Sequence, residues 1–163
     1  MGLEAVVLGL LGELDPVIVM ILIALLPFGE CRAAIVYGAV MGINPFVVFF
    51  GSLFANILVV PVILLFLQQA HFMRFVKWML GKRLARKIEK NRKKFEVYEE
   101  LALFGFVAVP LPGTGAWTGA LFASVLGLDR KKSFAVIAFG VVASAIIVSF
   151  VTYGLGEVFA YLG

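Results

Sequence analysis

The sequence carries little charge, and it has very few of the side chains from which redox and metal sites are built. Charged residues make up 15% of its 163 residues and hydrophobic residues 63%, whereas roughly one quarter of a soluble domain is charged. The single cysteine, Cys31, excludes an internal disulfide, and with one histidine no metal-ligand cluster is expected. We therefore expect an integral membrane protein that is not an enzyme and has no cofactor or metal.

Four apolar runs, at 16–41, 45–67, 101–128 and 133–155, dominate the chain. Each reaches or exceeds the roughly 20 residues that a membrane-spanning helix needs. Acidic residues precede the first basic residue, Arg32, which is the reverse of a signal peptide. We interpret residues 1–163 as one mature, all-α membrane domain.

The two halves of the chain repeat at an offset of 85 residues. The offset aligns identical residues and also a similar order of prolines, small residues and caps. The identical pairs are Pro27 with Pro112, Val40 with Val125, Gly42 with Gly127, Phe49 with Phe134, and Phe54 with Phe139. The pattern predicts two structural repeats, at about 15–70 and about 101–156.

Each repeat has a helix break in the middle of its first apolar run. The residues responsible are Pro27 and Gly29 in the first half, and Pro110, Pro112, Gly113 and Gly115 in the second. Proline cannot continue a helix, and glycine allows strained backbone. Asp15 and Asn44 each precede a proline, which predicts helix starts there, and Asp129 is a candidate cap for the last helix. Long helices are expected at about 45–68 and 130–155.

A broken segment either crosses the membrane as a kinked helix or returns to its own side as a re-entrant hairpin. Positive charge decides between these alternatives, because cytoplasmic loops are enriched in Lys and Arg. If 101–128 is re-entrant, the basic segments 74–94 and 130–132 are both cytoplasmic and both termini are outside. We predict an inverted repeat of two re-entrant hairpins, each followed by one spanning helix, in a multi-pass plasma-membrane protein.

The segment that links the halves, at about 71–100, is strongly basic. Residues 74–94 contain ten Lys and Arg and one acid, Glu89. Apolar residues recur there at roughly helical spacing, which predicts an amphipathic helix at the cytoplasmic membrane surface. Membrane lipids are the expected partner of this charge, and nucleic acid is not.

Glu30 and Arg32 are the formal charges expected at membrane depth. A charge at the bilayer centre costs about 2.5–3.5 kcal/mol on insertion scales, and such residues are functional candidates by default. A structural ion pair at the hairpin tip is the alternative. The pair is two residues apart, so a direct contact requires the non-helical backbone that Pro27 and Gly29 provide.

The second break brings no charge, but it brings glycines and hydroxyls. Gly113, Thr114, Gly115, Trp117 and Thr118 are the candidates for substrate or ion binding here. The helix that follows points its N–H groups and positive dipole end towards the membrane centre, which suits an anion beside Arg32. The preceding arms offer carbonyl oxygens, which with Glu30 suit a cation or proton. Close packing of the hairpins is the structural alternative for these glycines.

Two motifs carry a resemblance to a known family. Pro-Phe-Gly-Glu-Cys-Arg-Ala-Ala-Ile at 27–35 and Pro-Leu-Pro-Gly-Thr-Gly-Ala-Trp-Thr-Gly-Ala at 110–120 resemble the putative small multidrug export protein family, a distant relative of the DedA superfamily. The DedA resemblance implies inverted repeats with re-entrant hairpins, and lipid transport. It also implies a proton-coupling role for Glu30. DedA proteins have arginines around the second hairpin, where this chain has Trp117 and Thr118.

Transport of an anionic amphiphile, such as a polyprenyl phosphate or a phospholipid, is the function that these features favour. A proton on Glu30 is the expected coupling ion, and a homodimer is the expected assembly. Proton-coupled export of small cationic drugs is the first alternative, and a non-transporting membrane scaffold is the second.

Overall fold

The computed structural model describes residues 14–67 and 98–162, with side chains up to residue 154, and these residues form helices joined by short connections. The helices are α1 (Pro16–Leu25), α2 (Glu30–Val40), α3 (Pro45–Leu67), α4 (described over 98–108), α5 (Ala116–Leu126) and α6 (Arg130–Leu162). The all-helical class is confirmed for these residues. The predicted amphipathic helix at 74–94 lies outside them.

Two helices, α3 and α6, are long and apolar enough to cross a membrane, over Pro45–Leu67 and Arg130–Gly154. Their most apolar windows are 39% and 28% buried, so neither is enclosed like the core helix of a soluble protein. Large side chains such as Phe46, Phe54 and Phe150 are exposed. Both predicted long helices are confirmed, and α6 runs to Leu162, further than expected, because no proline follows Leu155 and isolated glycines do not end a helix.

The chain divides into two compact units, and α3 and α6 contribute to both. The first comprises Met1–Ala55 and Ala145–Gly163, and the second comprises Asn56–Ser144. The first unit thus contains α1, α2 and the start of α3, whereas the second contains α4, α5 and the start of α6.

In the first unit, α1 and α2 form a helical hairpin. They have 10 and 11 residues, about 15 Å each, which is half the roughly 30 Å of a bilayer core. A Cβ built on Gly38 would lie 3.1 Å from Met20 Sδ and 2.6 Å from Val48 Cγ2. In one continuous helix, Met20 and Gly38 would be about 27 Å apart. The chain therefore folds back at the break, and α2 packs on both α1 and α3.

In the second unit, α4 and α5 fold back in the same way. The rings of Phe106 and Phe122 meet with centroids 4.9 Å apart, and a Cβ built on Gly119 would lie 2.6 Å from Val107 Cγ2. At the base of this hairpin, Lys132 Nζ lies 3.3 Å from Glu100 Oε1. The segment between these two charged residues therefore leaves one end of the unit and returns to it.

The connection after each hairpin has the same backbone structure in both halves. Gly42 and Gly127 are both left-handed with φ of 68°. The N–H groups of Ile43 and Leu128 donate to the carbonyls of Gly38 and Ala123 at 3.0 and 2.9 Å, which is the six-residue hydrogen bond of a Schellman helix end. The local structure of the two halves thus agrees at the predicted offset of 85 residues.

The predicted helix starts are confirmed by their side-chain caps. Asp15 accepts from the Val17 N–H at 2.7 Å, and Asn44 accepts from the Phe46 N–H at 3.0 Å. Asp129 accepts from both Lys131 and Lys132 at 3.0 Å. The same cap position is therefore a neutral amide before α3 and a carboxylate before α6.

The Asp129 cap predicts a difference between the two helix starts in acid. The hydrogen bond from the Lys132 N–H, and then that from Lys131, holds the pKa of Asp129 below its usual 3.8. Because the folded pKa is the lower one, the cap stabilises fully above 3.8 and is lost as the pH falls through the folded value. On acidification from about pH 6 to about pH 3, the thermal midpoint of the wild type should fall more than that of Asp129→Asn, which keeps a capping oxygen. Equal acid sensitivity of the two proteins would contradict this assignment.

Candidate functional site

The first break is a tight turn whose geometry requires a glycine. The Leu26 and Glu30 N–H groups donate to the carbonyls of Ile23 and Leu26 at 3.2 and 3.1 Å. A Cβ on Gly29 would collide with the carbonyl oxygen of Ile23 and would lie 2.8 Å from its Cγ2. Pro27 ends α1 as predicted, and Gly29 allows α2 to begin directly against the end of α1.

Glu30, the first residue of α2, is turned into the protein. It is 7% exposed, whereas Phe28 two residues earlier is 99% exposed. Its backbone is left-handed, with φ of 52°. This conformation costs a residue other than glycine on the order of 1–3 kcal/mol, and such residues cluster at functional sites. The sequence singled out Glu30 by its charge, and the structure adds burial and backbone strain.

Arg32 lies in the first turn of α2, partly buried, and interacts electrostatically with Glu30. The N-terminus of a helix carries a partial positive charge, which favours an acidic residue and disfavours a basic one. Glu30 therefore suits its position, but Arg32 adds a second positive charge to a positive helix end. The tip therefore combines a negative side chain with a positive side chain and a positive helix end.

The second break is held by the Thr114 hydroxyl. Its oxygen lies 2.7 Å from the carbonyl of Val109 and 2.9 Å from that of Leu111. In the sequence, the arm before this break offers carbonyl oxygens to a cation, but the Val109 carbonyl at the end of that arm already accepts a hydrogen bond from the Thr114 hydroxyl. Gly113 is left-handed, with φ of 81°, which a side chain rarely adopts. The predicted turn residues thus shape this break.

Three of the predicted site residues, Gly115, Trp117 and Thr118, lie at the start of α5. Gly115 is buried, and no side chain caps the helix. The Thr118 hydroxyl lies 3.4 Å from the Gly115 carbonyl, a long contact within its own turn. Trp117 is partly buried. The first turn of α5 therefore lacks a side-chain cap, and ligand binding there stays a prediction.

The predicted site residues fall into two sets, each held within its own unit. Pro27, Gly29, Glu30 and Arg32 belong to the first unit, and 110–118 belongs to the second. Their joint action on one substrate stays a prediction.

Sequence reasoning undervalued several polar residues of the long helices. The Ser52 and Ser149 hydroxyls and both polar atoms of the Asn56 amide are buried without a hydrogen-bond partner. Asn56 is 0% exposed. The apolar pattern of the helices does not reveal this feature, because the burial of a polar residue depends on tertiary packing. The four-residue spacing of Ser52 and Asn56 was the available signal.

A family model described as "putative small multi-drug export protein" matches residues 30–147. The match begins at Glu30, ends within α6 and covers well over half of the chain. No curated protein and no solved structure matches the chain. Together with two helices that are long and apolar enough to cross a bilayer, this match shows that the chain belongs to the putative small multi-drug export family of membrane proteins.

Proposed function

We propose that this chain is a transporter whose two hairpins enter the membrane from opposite faces as an inverted repeat, with both termini outside. The short hairpin helices support the proposal, since none of α1, α2 and α5 is long enough to span a bilayer. The Lys132–Glu100 contact supports it for the second hairpin, because it places the basic turn at 130–132 beside the start of the segment that follows the basic linker. Both basic segments are then cytoplasmic.

Labelling tests this arrangement. Cys31 is buried, and in a Cys31→Ser background the variants Asn44→Cys and Asp129→Cys each carry one exposed thiol. An impermeant maleimide should label residue 44 from outside and residue 129 from the cytoplasm. Labelling of both residues from one side would contradict the inverted arrangement.

The substrate that the first break suits best is an anionic amphiphile, such as a polyprenyl phosphate or a phospholipid. The observation that carries this proposal is the position of Arg32 in the first turn of α2, where its charge adds to the positive helix end. The backbone around Gly113 and Gly115 is the proposed second anchor for the anionic head. Its N–H groups bind anions without adding charge to the membrane.

Glu30 is the proposed site of proton coupling. A carboxyl group that is 7% exposed is costly to keep charged unless a partner compensates its charge. Arg32 interacts electrostatically with Glu30 and so stabilises the carboxylate. Binding of an anion at Arg32 reduces the positive charge that stabilises the Glu30 carboxylate, which favours proton uptake. Substrate and proton would then move together.

Export of a cationic drug is the second candidate, because the family description names multi-drug export. In that case Glu30 would exchange the substrate for protons. Arg32 counts against it, since a fixed positive neighbour repels a cation. Catalysis is not proposed for this chain, and a scaffold role would depend on residues 74–94, which are outside the described residues.

Replacing Arg32 with glutamine separates the two candidates. In proteoliposomes, Arg32→Gln should slow the movement of a fluorescent anionic phospholipid by about ten- to hundredfold, the effect of losing a charged hydrogen bond. Efflux of ethidium, an organic cation, should persist or improve if it occurs at all. Lys131→Gln is the matched control, because it removes one positive charge from an exposed turn.

The contrary result is equally clear. Anionic lipid movement that survives Arg32→Gln would overturn Arg32 as the residue that binds the anion. Ethidium efflux that stops with Glu30→Gln but not with Arg32→Gln, without movement of anionic lipid, would favour the cation exporter. Among the described residues, two helices are long and apolar enough to cross a membrane, and we also propose a homodimer as the transporting unit. Native mass spectrometry would reveal both its mass and any lipid that copurifies.

A further inference from the structure

A cleft of about 340 Å³ opens in the first unit, at the ends of both long helices. The start of α3 and the far part of α6 line it, through Pro45, Phe46, Phe49, Phe50, Ser149 and Tyr153. Ligand pockets typically measure roughly 300–1,000 Å³ and combine apolar walls with a few polar groups. The volume and the apolar wall of the cleft fit this description, and two hydroxyl-bearing residues are among its lining. The lining contains none of the residues assigned to the two breaks.

Two hydroxyl groups in its wall lack a hydrogen-bond partner. The Ser149 Oγ and Tyr153 OH are both buried and unpartnered, and they lie four residues apart, on one face of α6. Most buried hydroxyl groups in proteins have a hydrogen-bond partner, and each exception calls for an explanation. A ligand that carries a hydrogen-bonding group supplies one.

The lining indicates the class of this ligand. None of the lining side chains that the structure describes is charged, so an ionised head group would find no counter-charge among them. The Phe50 ring already meets Phe49 edge to face at 5.2 Å and stacks with Phe54 at 6.2 Å, and a planar ring extends such a ladder. A lipid acyl chain fills the apolar space but leaves both hydroxyls unpartnered.

We propose that this cleft binds an uncharged amphiphile with a planar aromatic body and one hydroxyl or carbonyl group, which Ser149 and Tyr153 recognise. The exposed surface of the cleft is apolar and the two oxygens lie beneath it, so a side chain that lines the cleft must move for the ligand to reach them. Rotamer changes of this kind are common on binding. The site is independent of the transport proposed above, since its test measures binding alone.

Equilibrium dialysis with a matched pair of probes tests the proposal. 2-Naphthol and 2-methylnaphthalene share a ring system, but 2-naphthol alone can hydrogen-bond. Nanodiscs containing the protein should take up more of both probes than empty nanodiscs do. The double variant Ser149→Ala, Tyr153→Phe should weaken the binding of 2-naphthol by about tenfold and leave the binding of 2-methylnaphthalene unchanged.

Two further variants keep the test decisive if the double variant folds poorly. Phe46→Ala removes a ring that is 75% exposed and should weaken both probes. Tyr98→Phe removes a hydroxyl from an exposed residue that does not line the cleft, and it should leave the binding of both probes unchanged. Equal weakening of the two probes by the double variant would overturn the role of the hydroxyls.

Other occupants give their own results, and each overturns the proposal. If a lipid fills the cleft, native mass spectrometry finds a bound lipid that the double variant loses, and neither probe binds above the empty nanodisc. If a second copy covers the cleft, a cysteine at position 46 cross-links two chains and the probes again fail to bind.

Discussion

Replacing Gly29 with alanine is expected to lower the free energy of unfolding by roughly 3 kcal/mol, the upper part of the range for overpacking a rigid site. The added methyl group would collide with the carbonyl oxygen of Ile23, and backbone cannot rotate away as a side chain does. The φ of Gly29 is −89°, which alanine adopts freely, so the effect is one of space alone. Reversible unfolding in mixed micelles measures it.

Gly105→Ala is the matched control for this substitution. Gly105 lies in α4, and a Cβ there would have nothing within 4 Å. Alanine in a helix is more stable than glycine by about 0.5–1 kcal/mol, so this variant should gain stability. A small effect at both positions would mean that the break is looser than its contacts indicate.

Replacing Asn56 with leucine is expected to stabilise the protein by about 1–3 kcal/mol, because the substitution removes an unpartnered buried amide and keeps the side-chain volume similar. The amide is 0% exposed, and neither its nitrogen nor its oxygen has a partner. A residue that costs stability in the resting protein is a candidate for a role in function. We therefore expect Asn56→Leu to reduce transport in proteoliposomes while it raises the unfolding free energy.

The same substitution at a partnered asparagine should have the opposite sign. Asn44 caps α3 through the N–H of Phe46, and Asn44→Leu should lower the free energy of unfolding by about 1 kcal/mol. Loss of stability in Asn56→Leu as well would show that the amide finds a partner that the static structure lacks. Increased stability with unchanged transport would remove Asn56 from any functional role.

The features that sequence predicted well depend on neighbours along the chain. The caps at Asp15, Asn44 and Asp129, and the breaks at Pro27 and Pro110, follow from side chains that act on backbone within a few residues. The helix ends at Gly42 and Gly127 are also local features, although sequence indicated only that these two glycines align. Local chemistry of this type is readable without knowledge of the fold.

The features that sequence missed depend on what packs around a residue. Nothing in the apolar pattern of α3 distinguishes Asn56 without a partner from an asparagine that is hydrogen-bonded to a neighbouring helix. The left-handed backbone of Glu30 was also unexpected, because that conformation is rare outside glycine. For the second break, sequence indicated Thr114 as a binding candidate but not that its hydroxyl is hydrogen-bonded within the turn.

The contacts of the first hairpin bear on how the chain enters the membrane. The contacts that Gly29 and Gly38 make with Met20, Ile23 and Val48 all lie within one short stretch of chain. Contacts between near neighbours form quickly, and a ribosome adds only about 5–20 residues per second. We expect this hairpin to close during translation, soon after the start of α3 emerges. The insertion machinery would then receive the two short helices as one preformed hairpin, and α3 would be the first segment that it inserts across the whole membrane.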